Sequence, residues 1–237
     1  MKALIISDIH ANIDALQSVV AAEPDAEAIY CAGDIVDFGL NPSEVIAFLQ
    51  QHRVHTVMGN HDRYLLELID ASPAPELPQP FTFAQYCASV MSEEDIRYLR
   101  SLPESLRWEM DGIEYFMTHQ YALNYSVIEC RRQFEAYWQM QCPDSDPRKA
   151  HRCIFGHTHR SCHMTLDDRM LWLNPGSVSY RREDDPTKGA EYAVITDGQI
   201  RLKQIPYPHR HLYNKVCALN LTPNDMRVGR FFFSDPA

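Results

Sequence analysis

Early in the chain, short apolar runs stop abruptly in clusters of Asp, Asn and His, and this pattern restricts the fold more than any other feature. Residues 3–7 lead into Asp8-Ile9-His10, residues 28–32 into Gly33-Asp34, and residues 54–58 into Gly59-Asn60-His61-Asp62. Apolar runs of this length bounded by polar residues suit buried strands. Residues 14–22 carry helical apolar spacing. Asn41-Pro42-Ser43-Glu44 offers an N-cap, a proline at the first helical position and a capping-box acid ahead of the apolar stretch from Val45. Strands alternating with helices predict an α/β protein whose first sheet is largely parallel.

Beyond residue 72 the pattern changes. Prolines between Ser72 and Pro80 suit a surface excursion, and helices are expected near 83–91 and 93–102, the second opened by Ser92. Short β-like runs follow at 106–110, 113–118, 151–155, 162–166, 170–173, 190–196 and 200–205, with one helical stretch near 127–140. Asp111-Gly112 and Asp197-Gly198 read as hairpin turns. A second sheet is therefore expected, all within one domain spanning 1–237. After Tyr207 a helix near 209–219 fits, and Phe231-Phe232-Phe233 must pack on the body or on a partner chain, which leaves a homo-oligomer open.

The net charge of -10 argues against general nucleic-acid binding, which needs a basic surface to displace counterions. No apolar run has the length of a membrane span and the N-terminus turns polar too early for a signal peptide, so a cytoplasmic protein without membrane association is expected. The 7 cysteines are scattered without a C-x-x-C pair. Reduced thiols filling the core are expected, not a disulfide framework or thiolate zinc site.

The strand ends carry the chemistry. To the three early clusters the later half adds Thr118-His119 and Gly156-His157-Thr158-His159, each after an apolar run. Ligands in open α/β sheets bind beyond the carboxyl ends of strands, so separate segments can converge on one crevice. If these segments are extended, Asp8 and His10 face the same way, as do His157 and His159. Imidazoles and carboxylates without thiolate suit first-row divalent ions: manganese foremost, with iron, zinc, nickel or cobalt as alternatives. The donors exceed what one ion needs, and two ions sharing a carboxylate account for the surplus.

The ordered series Asp8-x-His10, Gly33-Asp34, Gly59-Asn60-His61-Asp62, His119 and Gly156-His157-Thr158-His159 resembles the calcineurin-like metallophosphoesterase superfamily. Residues 33–45, with Asn174-Pro175-Gly176-Ser177, look closest to its small bacterial and archaeal phosphodiesterase branch. The resemblance spans roughly 1–205 and implies a four-layer α-β-β-α sandwich of two facing mixed sheets flanked by helices. It assigns Asp8, His10, Asp34 and His159 to one ion and Asp34, Asn60, His119 and His157 to the other, with a bridging hydroxide attacking phosphorus. Asn60 also borders the substrate, and His61 protonates or stabilises the leaving oxygen.

Asp37 matches an acid that larger relatives pair with the counterpart of His61. Its expected role is to orient that ring, against the plainer reading of a turn carboxylate. Arg160, Arg181 and Arg182 are candidate contacts to a second phosphate or a carboxylate of the substrate, although exposed arginines are common without one. Gln120 stands where many relatives have glycine, which points to residues 120–126 as a determinant of selectivity. The expected function is metal-dependent hydrolysis of a small, nucleotide-like phosphate ester. The alternative is a protein-interaction scaffold on the same fold, as in the retromer subunit that resembles this family. Retention of His61 together with the full ligand series speaks against it.

Overall fold

The computed structural model describes residues 1–71, 77–179 and 187–233. In chain order they form β1 (Lys2–Ile6), α1 (Ile13–Ala22), β2 (Ala28–Cys31), α2 (Pro42–Gln51), β3 (His55–Thr56) and α3 (Asn60–Ala71). Two helices follow, α4 (Phe83–Val90) and α5 (Glu93–Ser101), then β4 (Ser105–Met110), β5 (Ile113–Thr118), α6 (Arg131–Gln141), β6 (Ala150–Ile154), β7 (Cys162–Thr165) and β8 (Met170–Asn174). The chain closes with β9 (Ala190–Thr196), β10 (Gln199–Ile205), α7 (Arg210–Ala218) and α8 (Pro223–Phe233). Two five-stranded sheets result, ordered β10-β9-β1-β2-β3 and β4-β5-β6-β8-β7. Both are mixed: β1, β2 and β3 run parallel, as do β5, β6 and β8, and the remaining pairings are antiparallel.

Alternation along the strands builds the layers. On β1, Ala3 and Ile5 face the opposite sheet while Leu4 and Ile6 face helices. On β5, Tyr115 and Met117 point into the sandwich and Phe116 points outward. The same period-two division on β8 sends Leu171 and Leu173 inward and Trp172 outward. Helices α1 to α5 cover the first sheet and α6 covers the second through Phe134, Tyr137 and Trp138. This is the four-layer α-β-β-α sandwich, with stacked Tyr30, Trp108 and Tyr115 joining the two sheets.

Both hairpins form where Asp-Gly pairs stand. Asp111 and Gly112 take φ of 54° and 76°, and Asp197 and Gly198 take 50° and 76°, the left-handed pair that matches strand twist. Three expectations are corrected in detail. The third run enters the ladder only at His55–Thr56, and the helix expected from residue 127 begins at Arg131. Asn41 occupies the N-cap of α2, but its ψ of 53° makes no side-chain cap; Nδ2 instead donates to Glu44 Oε1 at 3.2 Å. Cys31, Cys87, Cys142 and Cys153 fill core space as expected, whereas Cys130 and Cys217 are exposed.

Helices α3 and α8 were not anticipated. The opening turn of α3 is the Asn60-His61-Asp62 cluster itself, which reads as a ligand loop. In α8, Gly229 weakens the helical signal. The fold shows why glycine stands there: a β-carbon would lie 2.5 Å from Val216 Cγ1 and 2.9 Å from Phe83 Cζ. Phe232 and Phe233 are buried with Phe81, Phe83, Leu212 and Val216, so the terminal aromatic run packs on the body. No described helix is long and apolar enough to cross a membrane.

Candidate metal centre

The carboxyl ends of β1, β2, β3, β5 and β6 open onto one crevice, and the segments leaving them hold the sequence-nominated donors. Those donors meet. His159 Nε2 lies 3.0 Å from Asp8 Oδ1, and His119 Nε2 lies 3.1 Å from Asp34 Oδ2. One donor atom each from Asp8, His10, Asp34 and His159 falls within 4.8 Å of the others. Beside this group, Asn60 Oδ1 sits 2.9 Å from both His119 Nε2 and His157 Nδ1. Asp34 belongs to both halves of the cluster.

The donors do not converge by strand alternation, as the sequence suggested. Asp8, His10, Asp34, His157 and His159 have φ of 54°, 47°, 54°, 64° and 53°, so left-handed turns aim these side chains. Non-glycine residues occupy this region at a cost and cluster where surrounding structure over-determines them. That structure is visible. Amide N–H groups of Asp8 and His10 donate to the carbonyls of Gly33 and Asp34 at 2.9 and 3.0 Å. Asn174 Nδ2 donates to Gly156 O at 2.6 Å and Ser177 Oγ to Asp8 O at 2.9 Å, so the Asn174-Pro-Gly-Ser177 turn fastens two ligand loops together. At Gly59 a side chain would collide with the Asp34 carboxylate, and at Gly156 with Ser7 Oγ and Asp8 Oδ2.

Asp62 is the residue that sequence reasoning passed over. Fully buried, it accepts from the amides of Asp34, Ile35, Val36 and Gly59 at 2.8 to 3.2 Å, clamping the Asp34 loop to the start of α3. Burial and the neighbouring Asp34 push its pKa up to about 7, against the pull of the amide donors. Its place in Gly59-Asn60-His61-Asp62 was the available signal.

The donor set fits divalent cations. His119 Nδ1 lies 2.7 Å from the Ala32 carbonyl and must carry a proton to donate to it. In the neutral ring, Nε2 then points a lone pair at two further acceptors, Asn60 Oδ1 and Asp34 Oδ2. Converging lone pairs repel unless a proton or cation sits among them. Without a metal the proton serves: burial disfavours imidazolium, but Asp34 raises His119 to about 10. Asp8 Oδ1 and Asp34 Oδ2 are buried and face the His159 and His119 Nε2 atoms at 3.0 and 3.1 Å, lone pair to lone pair when the rings are neutral, a costly arrangement that coordination relieves. Burial lowers His10 to about 4, which keeps it in the neutral, ligating form.

His61 stands beside the cluster. Its backbone N–H donates to Asp34 Oδ1 at 2.8 Å, and its Nδ1 lies 2.8 Å from Asp37 Oδ2. Burial opposes a charged His61, yet the Asp37 hydrogen bond and the fields of Asp34 and Asp37 raise it to about 8. A cavity of about 160 Å³ is lined by Asp34, Phe38, Asn60, His61, Tyr125, His157 and His159. Arg160 is exposed and does not line this cavity, and Arg181 and Arg182 lie outside the described residues. The remaining histidines are also away from the cavity lining; His151, for example, stacks on Trp138.

This fold and donor set define a class. The chain belongs to the calcineurin-like phosphoesterase superfamily, whose domain model matches residues 1–197. It is 26% identical over 242 residues to an uncharacterised protein of Methanocaldococcus jannaschii, covering 90% of each chain. A symmetrical bis(5'-nucleosyl)-tetraphosphatase of Nitrosococcus oceani is 33% identical over 118 residues, covering 48% of this chain and 42% of the relative. Among solved structures, a metallophosphoesterase from Sphaerobacter thermophilus has the same fold, with a TM-score of 0.72, 21% identity and coverage of 97% and 98%. A phosphoesterase superfamily member with this cluster of Asp and His can bind metal, and hydrolysis is the family's chemistry.

Proposed function

We propose that the protein is a dinuclear metal-dependent phosphoric ester hydrolase acting on a small, nucleotide-like phosphate ester. The observation that carries the reading is the pair of adjoining donor groups sharing Asp34: Asp8, His10 and His159 on one side, Asn60, His119 and His157 on the other. Two divalent ions held there, manganese foremost, would supply Lewis acidity and lower the pKa of a water. Asn60 and the cavity wall orient the phosphoryl group. His61, within reach of the same cavity and held by Asp37, delivers a proton to the departing oxygen. The similarity to a tetraphosphatase supports a nucleotide-like substrate.

The test is hydrolysis of bis-para-nitrophenyl phosphate, para-nitrophenyl phosphate and a nucleotide panel, with and without added manganese, by wild type, His61→Ala and Asp34→Asn. The expected result is metal-stimulated turnover that chelator removes, lost in Asp34→Asn and reduced at least about 100-fold in His61→Ala. Absence of metal-stimulated hydrolysis on every substrate overturns the reading and favours a protein-interaction scaffold.

A further inference from the structure

The cavity over the donor cluster is far smaller than the roughly 300 Å³ at which small-molecule sites begin, at about 160 Å³. A phosphoryl group fits; the rest of an ester must leave through the mouth. Two aromatic rings are in the cavity wall. Phe38, at a φ of 56°, packs on His61 with ring centroids 4.8 Å apart, and is backed by Phe83 and Phe232 at 6.3 and 5.8 Å. Tyr125 lies parallel to His157, with centroids 4.9 Å apart and planes 8° from coincidence, yet the residue is 71% exposed.

An exposed aromatic ring is ordinarily mobile. This one rests on an imidazole that Asn60 holds at 2.9 Å, so one face of Tyr125 is supported by the donor cluster. That contact restricts the ring before any ligand arrives, which reduces the entropy lost on stacking. Every nucleobase offers a flat face to such a platform, whereas a sugar or glycerol substituent does not.

We propose that Tyr125 is a specificity-determining residue, a stacking platform for a planar substituent, such as a nucleobase, carried by the phosphate ester. The proposal deepens the hydrolase reading and rests on it for the position of the phosphoryl group. Phe38 forms the fixed wall on the His61 side of the exit, and Tyr125 the solvent-facing one on the His157 side. Selection for a planar group is then exercised outside the metal cluster, by the loop that follows His119.

The experiment is calorimetric binding of AMP and of ribose 5-phosphate to the manganese-loaded full chain, for wild type, Tyr125→Ala and Tyr125→Phe. Wild type is expected to bind AMP about tenfold more tightly than ribose 5-phosphate. Tyr125→Ala should bring that ratio close to one, and Tyr125→Phe should preserve it. Equal affinity in wild type, no binding of either probe, or a ratio that survives in Tyr125→Ala overturns the proposal. Binding is read without turnover, so the two readings fail separately. A base preference without hydrolysis retains the platform and removes the hydrolase; hydrolysis without a base preference does the reverse.

Discussion

His61 Nδ1 and Asp37 Oδ2 are 2.8 Å apart, and Oδ1 of the same carboxylate accepts the Phe38 amide at 2.7 Å. One buried carboxylate thus holds both the imidazole and the backbone of the ring that packs against it. Asp37 itself has a φ of 68°, so neither contact follows from an ordinary turn.

From this pairing, Asp37→Asn is expected to lower kcat at least about tenfold while leaving bound metal unchanged. The defect should be larger for esters with a poor leaving group than for para-nitrophenyl esters, because an activated leaving oxygen needs less help from His61. Steady-state kinetics on both ester types, with metal content by elemental analysis, checks it. Unchanged turnover at unchanged metal content refutes the orienting role.

Asp62→Ala leaves the amides of Asp34, Ile35, Val36 and Gly59 without their shared acceptor. Buried donors stripped of a partner cost about 1–3 kcal/mol each, and water entering the space vacated by the carboxylate recovers part of that. A net loss of about 3 kcal/mol is expected by denaturant unfolding, together with weakened metal binding as the Asp34 loop relaxes. A variant as stable as wild type contradicts the clamp.

Buried Glu23 accepts from Lys2, Lys203 and Tyr192 Oη, at 2.8, 2.5 and 2.9 Å. Burial pushes its pKa up, but these partners win and hold it below the ordinary 4.5. A depressed carboxylate pKa stabilises the fold above the unfolded value, and that stabilisation is lost as pH falls through the folded one. Glu23→Gln should therefore cost about 1–2 kcal/mol near neutrality, toward the low end because Lys203 is 40% exposed. Melting curves of variant and wild type should converge as pH drops below about 4.5. A gap independent of pH counts against this account.

Phe232 is 2% exposed and touches Phe38, which touches His61. Phe232→Ala should cost about 3–5 kcal/mol in unfolding free energy. The folded fraction should also lose turnover, because the wall behind His61 slackens. Chemical denaturation and active-site-normalised kinetics separate the two effects. Full turnover per folded molecule would show that α8 supports stability alone.

Much of the centre was legible before folding, for a local reason. A strand's carboxyl end is marked by where an apolar run stops, and the residue types that follow are those that bind cations. The strand-end clusters could be named that way, the family resemblance picked out Asp8, His10, Asp34, Asn60, His119, His157 and His159 within them, and the fold brings all of these to one crevice. The geometry that does so was not legible. Left-handed φ at Asp8 or His157 depends on hydrogen bonds to Gly33 and to the Asn174 turn, partners distant in the chain. Helix α8 was hidden because Gly229 answers to Val216 and Phe83, not to helix propensity.

By itself, the order of residues determined the alternation of strands and helices, the two hairpin turns and the polar clusters at the strand ends, since each is encoded within a few neighbouring positions. Tertiary structure alone decided that Asp62 clamps the Asp34 loop and that Phe38 and Tyr125 line the cavity beside the donors, whereas the meeting of Asp37 with His61 was already implied by the family resemblance. These depend on where separate segments come to rest against one another, and side-chain packing between distant elements leaves no periodic trace along the chain.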